Sequence, residues 1–156
     1  MTYREQLQQF FARYSRETGR TGPIDPHDVA GWAITNRLWE PRPRDVINQL
    51  ADDISKALRE EYRTDEHGRR YRAKHAVNGG PQQGTLWADI DTAPHAHMER
   101  AFAQRRQQVV GDCLQLKTDV DVYNDKRSDE EPINMVLDFT NDVAELQLQV
   151  PYRKVG

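Results

Sequence analysis

The sequence predicts a mainly helical α+β fold in which short helices lead into a small antiparallel β-hairpin and a helical hairpin closes the chain. Three observations carry that expectation. Helix-start signals recur at Thr2, Asp25 and Pro43. After Tyr62 the apolar spacing changes from helical to alternating and is punctuated by glycine-bearing turns. Beyond Asp91 helical spacing returns and strand signals stop. The domain boundary is placed there, with residues 1–92 as one domain and 93–156 as a C-terminal extension.

In the first helix, Thr2 and Glu5 have the spacing of a capping box, and Leu7, Phe10, Phe11 and Tyr14 follow at helical intervals up to Gly19, a residue suited to the left-handed C′ position. Asp25 and Pro26 then supply an N-cap and a first helical residue whose missing N–H the helix does not use. Val29, Ala33 and Trp32 form the inner face of this second helix. A third runs from Pro43 to Tyr62, with Ile47, Leu50, Ile54 and Leu58 on one face and Asp45, Asn48, Gln49, Asp52 and Lys56 on the other. Asp65-Glu-His-Gly68 and Asn78-Gly-Gly-Pro81 are turn signals. Between them the chain alternates as a half-buried strand does, and Thr85 to Ile90 returns to close a hairpin over about residues 70 to 90.

The long helix expected from Pro94 to Asn124 carries Val109, Cys113, Leu116, Val120 and Tyr123 at intervals of 4, 3, 4 and 3, the spacing of a helix packed along another helix. Gly111 lies within it and costs about 1 kcal/mol relative to alanine unless another backbone approaches closely. A last helix is expected to start at Pro132, with Ile133, Val136, Leu137, Val143 and Leu146 as its stripe and Val150 to Gly156 as a frayed tail. The two helices form the predicted hairpin, and the 109–123 seam is its dimerisation element.

Composition narrows the function. In 156 residues, 37% are hydrophobic and 30% charged, with a net charge of -3, which suits a folded chain and argues against indiscriminate coating of nucleic acid. No apolar run approaches the roughly 20 residues of a membrane span, and no secretory signal is legible at Met1, so the chain is expected to stay in the cytoplasm without membrane association. A lone cysteine, Cys113, forms neither an internal disulfide nor a thiolate cage. The charge is unevenly distributed. The segment from Arg63 to Lys74 is +3, whereas the chain from Gly84 onward is -5, so nucleic-acid contacts are expected in the first half and protein contacts in the acidic second half.

The helix–helix–helix–hairpin order of residues 2 to 90, with its basic Tyr62–His75 hairpin, resembles the winged-helix superfamily of DNA-binding domains. Arg72-Ala-Lys-His75 and Gln104-Arg-Arg-Gln107 are also similar to segments of uncharacterised bacterial proteins, a likeness that implies no function. The winged-helix resemblance implies a third helix in a major groove and a wing on the phosphate backbone. On this chain Asn48 and Gln49 would then meet base edges, with Arg44 and Lys56 at the margins, and Arg69, Arg70, Arg72 and Lys74 would neutralise phosphates. Asp45 and Asp52 on the same exposed face oppose that role.

No constellation for catalysis and no phosphate-binding glycine loop is legible, so neither enzymatic activity nor a cofactor is expected. His95 and His97, near Asp89 and Asp91, have the residue types of a zinc or manganese site. Two residues apart on a helix they point about 200° from each other, so no metal site is expected. Asp112, Asp119 and Asp121 read as solvated positions beside the apolar seam. The expected function is double-stranded DNA binding by a small homodimeric regulator or accessory factor. The alternative is a protein–protein adaptor on the same scaffold, docking a larger partner through the acidic half.

Overall fold

A computed structural model describes residues 1–149, so the Val150 to Gly156 tail lies outside the described residues. The chain is mixed α+β, with five helices and two small antiparallel two-stranded sheets among those residues. It packs as two units, residues 1–52 and the chain from Asp53 onward. The hairpins and the long helix, which the sequence reading put on either side of residue 92, therefore share the second unit.

The first unit contains α1 (Tyr3–Thr18), α2 (Pro26–Thr35) and the first turns of α3 (Pro43–Arg59). The Thr2 capping box forms in full: the Glu5 N–H donates to Thr2 Oγ1 at 3.1 Å and the Thr2 N–H to the Glu5 carboxylate at 2.7 Å. Gly19 ends α1 in the left-handed region at φ 72°, and Asp25 caps α2 by accepting from the His27 N–H at 2.9 Å. Tyr14, Val29 and Ala33 are buried between α1 and α2, and the Tyr14 ring meets Trp32 edge-on at 5.6 Å.

The second unit begins on the last turns of α3 and continues through β1 (Tyr62–Thr64), β2 (Arg70–Arg72), β3 (Lys74–Asn78) and β4 (Thr85–Asp89) to α4 (His95–Lys126) and α5 (Thr140–Gln149). The sequence suggested one hairpin over about 70–90, but there are two. β1 pairs with β2 from Tyr62↔Arg72 to Thr64↔Arg70, and β3 pairs with β4 from Lys74↔Asp89 to Asn78↔Thr85. They join at Ala73, fully buried, whose N–H donates to the Glu61 carbonyl at 2.9 Å while its own carbonyl accepts from the Ile90 N–H at 2.9 Å. The first ladder claims Tyr62, so α3 stops at Arg59 and not at Tyr62.

Alternation along β3 puts Ala73, His75 and Val77 on the buried side, where the first turns of α4 add Met98 and Ala101. Gln104 fastens α4 to the end of β3. Its carbonyl accepts from the Asn78 N–H at 2.8 Å and its amide donates to the Asn78 carbonyl at 3.0 Å. His97 donates from Nε2 to the His75 carbonyl at 3.0 Å.

The C-terminal helical hairpin differs from its expected form. No helix begins at Pro132: residues 131–139 are non-helical and α5 starts at Thr140. Asn124 supplies the competing interaction, because its side-chain oxygen accepts from the Ile133 N–H at 3.0 Å and its amide donates to the Ile133 carbonyl at 2.8 Å. Asp138 then accepts from the Thr140 N–H at 3.1 Å in the manner of a cap. Val109, Leu116 and Tyr123 stay exposed, with Cys113 and Val120 half-buried, and the expected inner face of α3 is also uncovered, Ile47 being 71% exposed. Gly111 meets nothing within 4 Å of an added Cβ. Gly111→Ala should therefore raise stability by about 1 kcal/mol, read as a higher midpoint in chemical unfolding.

Candidate anion-binding site

The basic side chains in and beside the two hairpins fall into two groups. Those of the first group are neutralised within the protein. Asp65 organises the β1–β2 turn by accepting from the backbone N–H groups of His67 and Arg69 at 3.0 and 2.8 Å, and Gly68, at φ 80°, lets the chain close behind it. Its second oxygen takes the Arg69 guanidinium at 2.7 Å. Desolvation opposes ionisation of Asp65, yet the bonds from Arg69 and His67 outweigh it and lower the carboxyl pKa.

Lys74 stands directly opposite Asp89 in the β3–β4 ladder, so its ammonium reaches that carboxylate at 2.9 Å, with Glu61 3.6 Å away. Arg63 grips the same Asp89 with both guanidinium nitrogens and reaches Asp91 at 2.7 Å. The Arg63 fork, the Asp91 N–H and Lys74, in that order, hold the Asp89 carboxyl far below the usual carboxylate range. Asp89 in turn raises the pKa of both Arg63 and Lys74.

Cations of the second group have no carboxylate partner among the described residues. Arg70 lies over the Tyr62 ring at 4.1 Å and Arg59, the last residue of α3, over Trp87 at 5.4 Å. Arg72 and Arg105 make no ion pair among the described residues. Partial desolvation and the neighbouring charge of Arg72 lower the pKa of Arg105, as expected where two guanidiniums share a place without an anion between them. Arg59, Arg72, Lys74, Trp87, Gln104 and Arg105 all line one pocket of about 150 Å³, and among the described residues no carboxylate lines it.

The backbone beneath Arg72 is held in place. Buried His75 lies 2.8 Å from the Arg72 carbonyl through Nε2, and since a carbonyl only accepts, Nε2 carries the proton. His97 and Gln104 tie the same strand to α4, as described above, so the pocket wall consists of packed elements and not of loop tips. His95 turns away to Glu99 at 2.7 Å, so the two histidines serve different partners.

The remaining candidates lie elsewhere. Arg44, Asn48 and Gln49 line a hollow of the first unit together with Asp45 and Asp52, and the Asp45 carboxylate is held by Arg42 at 2.9 Å. Lys56 is exposed on α3. Sequence reasoning missed Arg59 and Trp87, and met Arg105 in the Gln104-Arg-Arg-Gln107 likeness, to which it gave no function. The available signal was the cluster Gln104-Arg-Arg-Gln-Gln108, where residues 104, 105 and 108 share a helix face. No family model, no curated protein and no solved structure matches the chain.

Proposed function

We propose that this chain binds double-stranded DNA in a winged-helix manner, α3 and the hairpins being the contacting elements, and that it acts as a small homodimeric regulator or accessory factor. The observation that supports this reading is the set of guanidiniums, Arg59, Arg70, Arg72 and Arg105, left without carboxylate partners among the described residues beside hairpin cations that are neutralised internally. An arginine whose charge no carboxylate balances is able to replace the counterions of a phosphate backbone. Asn48 and Gln49, both exposed on α3, make no side-chain hydrogen bond among the described residues and keep their amides available for adenine edges.

Fluorescence anisotropy of a labelled duplex across roughly 50 to 200 mM salt tests this. The Arg70→Ala/Arg72→Ala double variant should bind more weakly and lose about 0.9 from the log–log salt slope for each phosphate contact removed. Arg69→Ala should change the slope far less, because Asp65 already holds that guanidinium. A parent protein that binds no duplex at the lowest salt overturns the reading.

A specific observation favours the second reading, a protein–protein adaptor without DNA binding. Ile47, Leu50 and Ile54 on α3, Val109, Leu116 and Tyr123 on α4, and Val143 and Leu146 on α5 are all exposed. Apolar faces of that extent are characteristic of assembly surfaces. The exposed α4 positions also support the homodimer, since their spacing suits a parallel or antiparallel copy of the same helix.

A further inference from the structure

We propose that the pocket beside β3 is a binding site for a phosphate monoester, with inorganic phosphate as its minimal ligand. The proposal goes beyond duplex binding, since a single doubly charged phosphoryl group, free or on a nucleotide, suffices to occupy it.

Four basic side chains from four elements line the pocket: Arg59 from α3, Arg72 from β2, Lys74 from β3 and Arg105 from α4. Lys74 is balanced by Asp89, but the three guanidiniums are not balanced by any carboxylate among the described residues. A single carboxylate is satisfied by one guanidinium fork. Three forks around one cavity suit a tetrahedral dianion, which presents several oxygens to planar bidentate donors. The cavity, at about 150 Å³, is far larger than the roughly 10–15 Å³ that one water needs.

The backbone that carries the cations is also fixed. Trp87 supports Arg59 from below, the His75 imidazole holds the Arg72 backbone at 2.8 Å, and the reciprocal Gln104–Asn78 bonds of 2.8 and 3.0 Å fix the α4 turn that carries Arg105. An anion entering such a site meets a backbone already held in place, and it relieves the mutual repulsion of Arg72 and Arg105. Trp87 adds an apolar wall against which the sugar or base of a nucleotide can lie.

Isothermal titration of the full chain with inorganic phosphate, adenosine 5′-monophosphate and adenosine, at ionic strength matched with chloride, tests the site. Phosphate and the monophosphate should bind and adenosine should not. Arg105→Gln and Arg72→Gln should each weaken binding roughly tenfold or more, as loss of a charge-assisted bond does. Arg100→Gln, on the same helix but outside the pocket, should bind as the parent does. Circular dichroism of each variant separates lost binding from lost folding, and Arg105→Lys, which keeps the charge but loses the fork, should weaken binding in a folded protein. No heat beyond the chloride control, or equal binding by all variants, overturns the site as anything but a solvated cationic surface. Monophosphate binding without duplex binding leaves the pocket standing and removes the DNA reading. Duplex binding whose salt slope ignores Arg105→Gln, with no phosphate binding, does the reverse.

Discussion

Asp89→Asn should lower the thermal midpoint and, if the chain binds DNA as proposed, strengthen that binding at the same time. Both effects come from one carboxylate. Asp89 neutralises Arg63 and Lys74 together across the β3–β4 hairpin, at the junction where the two hairpins meet. An asparagine there leaves two cations side by side with only Asp91 and Glu61 near them. The hairpin is then strained by like-charge repulsion, while its outward potential becomes more positive.

The pH dependence follows from the depressed carboxyl pKa. A carboxylate whose folded pKa lies below its unfolded value of about 3.9 contributes stability that is fully present above that value and is lost as pH falls towards the folded one. The difference in midpoint between parent and Asp89→Asn should therefore be constant near neutrality and shrink on acidification below about pH 4. Thermal melts followed by circular dichroism between pH 7 and 3 measure it. A duplex affinity that is unchanged while the midpoint drops would exclude the hairpin cations from the interface.

The local signals in the sequence translated well into structure because each depends on residues close along the chain. The Thr2–Glu5 box, the Asp25–Pro26 start and the Asp65–Gly68 turn need only a few neighbours to form. What could not be read was set at a distance. Arg63 and Asp89 are separated by 26 positions, so no charge count along Arg63–Lys74 could reveal that Arg63 and Lys74 are paired from β4 while Arg70 and Arg72 are not. Likewise Asn124 and Ile133, nine residues apart, hold the chain in a conformation that the helical spacing after Pro132 did not anticipate. The pocket needed both kinds of information. Arg72 belonged to a visibly basic hairpin, but Trp87 joins it through the β3–β4 ladder, Arg59 by lying over the Trp87 ring, and Arg105 through the packing of α4 on β3.

Met98→Ala and Leu116→Ala, on the same helix, should separate the core of the second unit from the surface proposed to meet a second copy. Met98 is 9% exposed against the β3 face, so its truncation should cost about 2 to 5 kcal/mol at every protein concentration. Leu116 is 41% exposed, so within one chain its truncation removes less buried surface than that of Met98. If the α4 seam is covered by a symmetry mate, burial of that side chain contributes about 25 cal/mol for each Å² only in the dimer. The cost of Leu116→Ala should then appear as a midpoint that falls with dilution sooner than the parent's, because assembly stabilises by mass action. Light scattering at micromolar concentration gives the matching mass. A parent that stays at 18.1 kDa as concentration rises, with Leu116→Ala melting like the parent throughout, would rule out a stable homodimer and leave the exposed seam to a different protein. That outcome would favour the adaptor, whose acidic second half, -5 from Gly84 onward, would then be matched to a basic partner surface.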